Sequence, residues 1–400
     1  MSHIEDVQKW LEEVMSELIQ NLKLNKARYE ISESVDYTMS TLYYINIKYK
    51  NRTNGEIEEL PVVLKSLNQS KFIPRRLNQL DRQIHNEILF YQTYAQSNDH
   101  FVKCLYADER SPCEVIVLEN GCKRGYSSCP YSYDVPLEYT LAAFREMGRF
   151  HGKGYVMKEL QPEKFFDIVK RIQEIRYETR YKDTDTYKDF VNIITPRAVE
   201  YLRRHGHDAV FCDKMEALLS NAFDGVMLKV SKPLEPLSTL CHGDFTASNV
   251  LFRKESDGQY RAILIDFAHF RYATPVVDLS TYLCLCCSNE LRKGKFSEIM
   301  RAYHNALKEY LLEAGIWDIE KYSYEVLLDN FKKGALFGFA IASFFLGVLT
   351  GHSDRTGSEI IKLEYVERAK LMKQYGGDEI SKILADMLLH LRDLGCLKHF

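Results

Sequence analysis

Two neighbouring segments constrain this chain more than any other stretch. "LCHGDFTASNVLF", Leu240 to Phe252, sets His242, Asp244 and Asn249 among apolar residues. A turn, "RKESDGQYR", follows, and then "AILIDFAHF", whose apolar run from Ala262 to Ile265 ends in Asp266. Two short strands around a turn are the expected local structure. Any fold of this chain must therefore gather polar side chains at the ends of one hairpin. Asn249 and Asp266 lie 17 residues apart in sequence (266 − 249).

That set of side chains suits phosphoryl transfer. Magnesium prefers oxygen ligands, often one or two carboxylates beside phosphate oxygens, and Asn249 and Asp266 can supply them. Asp244 can accept the proton of an attacking hydroxyl. The register is that of a kinase catalytic loop: H-x-D, an Asn five residues after the Asp, then a D-F pair. His242 is read as a brace for the loop with no part in the chemistry. Asp278, 12 residues after Asp266 (278 − 266) in "ATPVVDLSTYL", is read as a helix N-cap, as an acceptor for backbone donors of the catalytic loop, or as both.

Such a loop requires a lysine on a strand and a glutamate on a helix nearer the N-terminus. "LYYINIKYK" alternates, with Tyr43, Ile45, Ile47 and Tyr49 on one side, and Asn54-Gly55 signals a hairpin turn before the returning strand "LPVVLKSL". Lys65 ends "PVVLK". In "RLNQLDRQIHNEILFYQTYAQ", Leu77, Leu80, Ile84, Ile88 and Tyr91 recur at helical spacing, and Glu87 falls on their apolar face. A charge there needs a partner, and Lys65 is the expected one; it would then hold the α- and β-phosphates. "VLENG", Val117 to Gly121, is the expected strand and hinge, with backbone around Glu119 and Gly121 for adenine. The segment before Tyr43, "ISESVDYTMSTLYY", contains no glycine. Ser40, Thr41 or backbone amides would have to cradle phosphates without the close approach glycine permits.

The remaining chain sets the outline. Residues 1–30 read as an amphipathic helix region. After about residue 122 long helical patterns dominate, such as "LEYTLAAFREMGRFH" and "DEISKILADMLLHLRDLG", apart from the central block around 238–270. The fold class is α+β: a small sheet-rich N-terminal lobe, residues 1–120, for nucleotide binding, and a larger mainly helical lobe, residues 121–400, for catalysis and acceptor binding. "GRFHGKG" (148–154) has only three residues between its first glycines and reads as helix-end packing, since a P-loop needs four. "GALFGFAIASFFLGVLTG" (334–351) carries no charge but lies between charged segments, and reads as a buried helix with no membrane span. There is neither a G-x-S-x-G elbow nor an H-E-x-x-H zinc motif.

Composition narrows the function classes. In 400 residues, 53 basic and 56 acidic side chains give a formal charge of −3, which offers nothing to a nucleic-acid backbone. The ten cysteines form no dense framework, Cys284, Cys286 and Cys287 read as buried thiols in an apolar helix, and no secretory signal is visible. A cytoplasmic location is expected, and the sequons at Asn51 and Asn68 then carry no weight. H-G-D in place of H-R-D, D-F-A in place of D-F-G, and no A-P-E argue against a protein kinase. The short interval from Asp266 to Asp278 leaves little room to dock a peptide, so the expected acceptor is a small molecule.

The segments "PVVLK", "HNEILFY", "VIVLENG", "CHGDFTASNVLF" and "LIDFAHFRYATPVVDLSTYL" together resemble the ecdysteroid-kinase-like (CHK kinase-like) family, related to choline kinases and aminoglycoside phosphotransferases. The resemblance spans about residues 40–290. It implies a bilobal protein-kinase-like fold and ATP- and Mg²⁺-dependent phosphorylation of a small-molecule hydroxyl. By position Asp244 would be the catalytic base, Asn249 and Asp266 the magnesium ligands, and Lys65 with Glu87 the phosphate-positioning pair. The family name implies an ecdysteroid or similar lipophilic alcohol. The alternatives are a choline- or aminoglycoside-type kinase, or a catalytically silent binding protein on the same fold. The glycine-free loop and Asn120-Gly121, where Asp-Leu is often found, depart from the family pattern.

Overall fold

The computed structural model describes residues 3–37, 39–67, 79–95, 100–110, 114–177 and 183–400. The chain forms two compact units, Met1–Tyr126 and Ser127–Phe400, and its class is α+β.

In the first unit, five antiparallel strands run in the order β1-β2-β3-β5-β4: β1 Asn25–Asp36, β2 Ser40–Lys50, β3 Ile57–Leu67, β4 Cys104–Asp108 and β5 Val115–Glu119. Alternation drives the pairing. Ile45 and Ile47 of β2, Val62 and Leu64 of β3, and Val115 and Val117 of β5 share one buried cluster. The helix His3–Asn21 covers it with Leu11, Val14, Met15 and Leu18. The helical reading of residues 1–30 is therefore corrected: the helix stops at Asn21, and β1 begins at Asn25. Lys23 and Lys26 adopt positive φ at this junction, and the register slips between Asn25 and Arg28. Edge pairing to β2 outweighs the weak helical pattern there, as tertiary context often does. β4, which no pattern announced, pairs with β5. The Asn51–Glu56 turn closes the β2–β3 hairpin, with Gly55 at φ 75°. Leu77 and Asn68 lie outside the described residues; the helix carrying Glu87 spans Leu80–Leu89.

In the second unit, two small sheets stand among helices. β6 (Ser127–Ser128), β8 (Val250–Lys254) and β9 (Tyr260–Leu264) form one; β7 (Thr239–Cys241) and β10 (Arg271–Ala273) form the other. The "GRFHGKG" segment lies well inside the helix Leu137–Leu160, which corrects the helix-end reading. Its glycines serve helix–helix packing. A Cβ at Gly148 would sit 2.3 Å from the Tyr303 carbonyl, and one at Gly152 3.1 Å from Tyr310 Cβ, so the helix Asn289–Glu313 approaches closely.

The uncharged stretch 334–351 holds a largely buried helix, Leu336–Leu349, as expected. The helices Tyr324–Gly334 and Leu336–Leu349 meet at a bend of 52°. The break strands the first N–H groups of the second helix, and the Ser280 hydroxyl accepts the Gly338 N–H at 3.1 Å. Gly338 must be glycine, because a Cβ there would lie 2.1 Å from the Ser280 carbonyl. Among the described residues no single helix is long and apolar enough to cross a membrane.

Candidate active site

β8 and β9 form the hairpin expected from the sequence, with Val250 opposite Leu264. One further backbone bond, from Ile265 N–H to the Asn249 carbonyl at 3.0 Å, carries the pairing past the strand ends. This brings Asn249 beside the residue preceding Asp266. Asp266 then turns into the left-handed region at φ 62°, which Asp tolerates better than most side chains. Phe267 anchors that turn: it is fully buried and packs 4.7 Å from the His242 ring.

The loop that carries Asp244 is held from three sides. The Asp278 carboxylate accepts the N–H groups of His242 and Gly243, both at 2.8 Å, and a third bond from His151 Nε2 at 3.0 Å. His151 Nδ1 in turn meets the Tyr303 hydroxyl at 2.8 Å. Asp278 is not the helix N-cap, a place taken by Pro275; the other reading, an acceptor for loop donors, describes what it does. Burial opposes its ionisation, but the His151 hydrogen bond and charge, His242 and the Gly243 N–H outweigh that and hold its carboxyl below the usual range.

His242 braces the loop as expected. Its Nδ1 accepts the Asp244 N–H at 3.3 Å, so the ring proton is assigned to Nε2, which donates to the Ile265 carbonyl at 2.9 Å. Gly243 has φ 82°, and a Cβ there would stand 2.0 Å from the His269 carbonyl. That close approach explains H-G-D in place of H-R-D. On the far side of the loop, Cys286 Sγ accepts the Ala247 N–H at 3.3 Å. Its thiol is pushed well up by burial, so it is inert.

Asn249 Nδ2 donates to the Asp244 backbone carbonyl at 2.9 Å and to its carboxylate at 3.0 Å. Asn249 Oδ1 has no partner among the described residues and remains available as a ligand. Burial raises the Asp244 pKa, and the Asp266 charge raises it further against the counteracting Arg176, His242 and Asn249. Two carboxylates close enough to repel, beside a spare amide oxygen, form the oxygen-rich donor set that suits a hard divalent cation.

In the first unit, Lys65 Nζ lies 2.7 Å from Glu87 Oε2, with 13% and 1% of the side chains exposed. Removing either partner leaves a poorly solvated charge, so double substitution of Lys65 and Glu87 should cost little more than either single one. A double-mutant cycle on activity should give a coupling of about 1–3 kcal/mol; coupling near zero would show the two acting separately. In the glycine-free turn Thr41 Oγ1 donates to Asp36 at 2.7 Å, and Ser40 is buried. The Glu119 and Asn120 N–H groups are spent on the carbonyls of Lys103 and Pro61. Gly121 opens a 3-10 turn whose first N–H has no partner of its own within the turn.

The sequence reading missed a third group of side chains, in the turn after the helix Pro162–Arg171. Glu174 Oε1 accepts the N–H groups of Ile175, Arg176 and Tyr177 at 2.9, 2.9 and 3.1 Å. Its Oε2 accepts from Arg271 of β10 at 2.8 Å. Burial opposes its charge, but Arg271 and those three donors hold its carboxyl below the usual range. Arg271 also stacks over Tyr177 at 4.7 Å. Arg176 reaches His269 Nε2 at 3.3 Å, near Asp244. "QEIRYETRYK" looks like an ordinary solvated segment, and no spacing rule distinguishes it.

The sequence profile of the ecdysteroid kinase-like (EcKL) family matches residues 34–316. Solved structures with a similar course include aminoglycoside 2'-phosphotransferase-IIIa in its GDP complex, at 13% identity and TM-score 0.40, covering 90% of this chain and 97% of that one. The GDP and kanamycin complex of APH(2")-IIia gives 14% identity, TM-score 0.39, and coverage of 90% and 98%. No curated protein matches the chain.

Proposed function

The chain belongs to the ecdysteroid kinase-like family, and from that premise we propose that it transfers the γ-phosphoryl group of ATP, with Mg²⁺, to a hydroxyl of a lipophilic alcohol, an ecdysteroid or related steroid. Family membership supports a small-molecule kinase. The observation that carries the reading is the Asp244–Asn249 pair, in which the amide holds the carboxylate and leaves its own oxygen spare.

In this reading Asp244 is the catalytic base. It takes the hydroxyl proton as the acceptor oxygen bonds to the γ-phosphorus and the bond to the bridging oxygen breaks, releasing ADP. Asn249 and Asp266 would hold the magnesium. Bound magnesium would neutralise charge on the phosphates. Lys65, oriented by Glu87, would contact the α- and β-phosphates, and Gly121 N–H with neighbouring carbonyls, Glu119 included, would face adenine. Residues 1–120 would serve nucleotide binding, and 121–400 catalysis and acceptor binding.

A lipophilic acceptor is supported by the aromatic surroundings of Arg176. Tyr177 and Tyr187 pack about Phe223, and Phe190 joins Tyr187. A permanent guanidinium at the same place disfavours an ammonium acceptor. Incubation with ATP and magnesium should phosphorylate ecdysteroids and neutral sterols in preference to choline, ethanolamine or aminoglycosides. Turnover of the cationic acceptors alone would overturn the steroid assignment and leave the kinase assignment standing. Absence of any magnesium-dependent ATP turnover would favour a silent binding protein.

A further inference from the structure

We infer that Arg176 reads the acceptor by binding an oxygen atom, of a carbonyl, hydroxyl or carboxylate group, that flanks the reacting hydroxyl. The inference rests on the phosphotransfer reading above and narrows its substrates to alcohols with a second oxygen function close by.

The placement of Arg176 is built. Three successive N–H groups on one Glu174 oxygen fix the turn that presents it. The other Glu174 oxygen ties that turn to Arg271, which pairs with Cys241 in β7, the strand leading into the Asp244 loop. The guanidinium is thus fixed to the same strand pair that launches the base. Burial works against its charge, but an arginine keeps its proton, and the nearby Asp244 carboxylate favours the charged form.

A guanidinium has five N–H donors in a rigid fork. Among the described residues the Arg176 side chain makes one hydrogen bond, to His269 Nε2. The residue is partly buried, and its other guanidinium N–H positions have no hydrogen-bond partner among the described residues. A fork beside a base that touches the reacting hydroxyl fits an oxygen on a neighbouring carbon of the same molecule. The group there must accept, because arginine only donates, and an ammonium in that position finds neither an acceptor nor a favourable charge. A nucleotide phosphate is the other source of such oxygens, and the two sources differ in which substrate's KM depends on Arg176.

The test uses the full chain with ATP and magnesium. The acceptor probes are two matched steroid alcohols, one with a vicinal diol and one with a single hydroxyl at the reacting position. The parent protein should prefer the diol by roughly 10–100-fold in kcat/KM, the range for a hydrogen bond to a charged group. Arg176→Met should bring that ratio close to one and leave the KM for ATP unchanged. Arg176→Lys keeps the charge beside Asp244 but loses the fork, and should give an intermediate ratio; it decides the matter if the Met variant fails to fold in a thermal scan. An unchanged ratio in these variants, a parent preference for the single hydroxyl, or a change confined to the KM for ATP overturns the inference. Equilibrium binding of the diol without ATP separates the two readings. If the parent turns over no alcohol, yet binds the diol at least 10-fold more tightly than Arg176→Met does, phosphotransfer fails and Arg176 recognition stands. Equal diol binding by parent and variant overturns the inference even where turnover is robust.

Discussion

Asp244→Asn should lower turnover by roughly 10²–10⁴-fold, the usual contribution of a positioned general base, and should not destabilise the protein. The structural reason is local. Asn249 Nδ2 donates to the Asp244 carboxylate and to its backbone carbonyl, and an asparagine at 244 can turn its own oxygen to the same donor. The energetic reason is the direction of the shift. Burial, with Asp266 adding to it, raises the folded-state pKa of Asp244. The charged form is therefore disfavoured by folding: above both pKa values the protein carries that cost, and it regains stability as pH falls through the folded value. Removing the charge should raise the thermal midpoint at neutral pH or leave it unchanged. This is the usual trade between stability and activity at a functional group. Single-turnover kinetics beside a thermal scan checks both halves. Near-normal turnover would remove Asp244 from the base role, and a marked fall in the midpoint would show that its carboxylate holds the loop together.

Asp278→Ala should be among the most damaging substitutions for stability. The carboxylate is fully buried and accepts from His242 N–H, Gly243 N–H and His151 Nε2. Alanine leaves two backbone donors and a histidine without an acceptor, away from water. Breaking a buried charged cluster on one side costs about 3–5 kcal/mol. Asp278→Asn keeps an acceptor oxygen for one donor and should cost less. Because the folded-state pKa of Asp278 is lowered, its contribution is present above the unfolded value of about 3.9 and is lost as pH falls through the folded one. Denaturant titrations of parent and Asp278→Ala should therefore differ most near neutral pH and converge in acid. A gap that stays constant down to low pH would contradict the assignment. The catalytic loop should loosen with the same change, so activity should fall although Asp278 touches no reacting atom.

Gly243 shows how far a local motif can be understood only after folding. H-G-D is visible in the chain, but the need for glycine comes from the His269 carbonyl, 26 residues away (269 − 243), which occupies the place of a Cβ. Asp278 shows the same limit. Its position three residues into the helix Val276–Leu285 invites a capping role, and only the folded chain brings the His242 and Gly243 N–H groups to it.

What the sequence determined is local and periodic. Alternation in Tyr43–Tyr49 specifies one strand, because side chains two apart share a face, and the short apolar run Ala262–Ile265 specifies another. The turn between Phe252 and Tyr260 specifies the hairpin, and the hairpin places Asn249 and Asp266 together. The Lys65–Glu87 pair was legible because a glutamate on an apolar helix face demands a cation. What the tertiary structure decided depends on segments distant in the chain. β1 exists because β2 offers it an edge. The break between Gly334 and Leu336 persists because Ser280 takes the Gly338 N–H. Glu174 and Arg176 acquire their surroundings from Tyr187, Arg271, His269 and Tyr365, which lie up to 189 residues away (365 − 176). No periodicity or spacing links them, because side chains on separate elements converge only through packing. The residues proposed for phosphoryl transfer therefore lie in short motifs, whereas the surroundings of Arg176 proposed to choose the acceptor are assembled only by the fold.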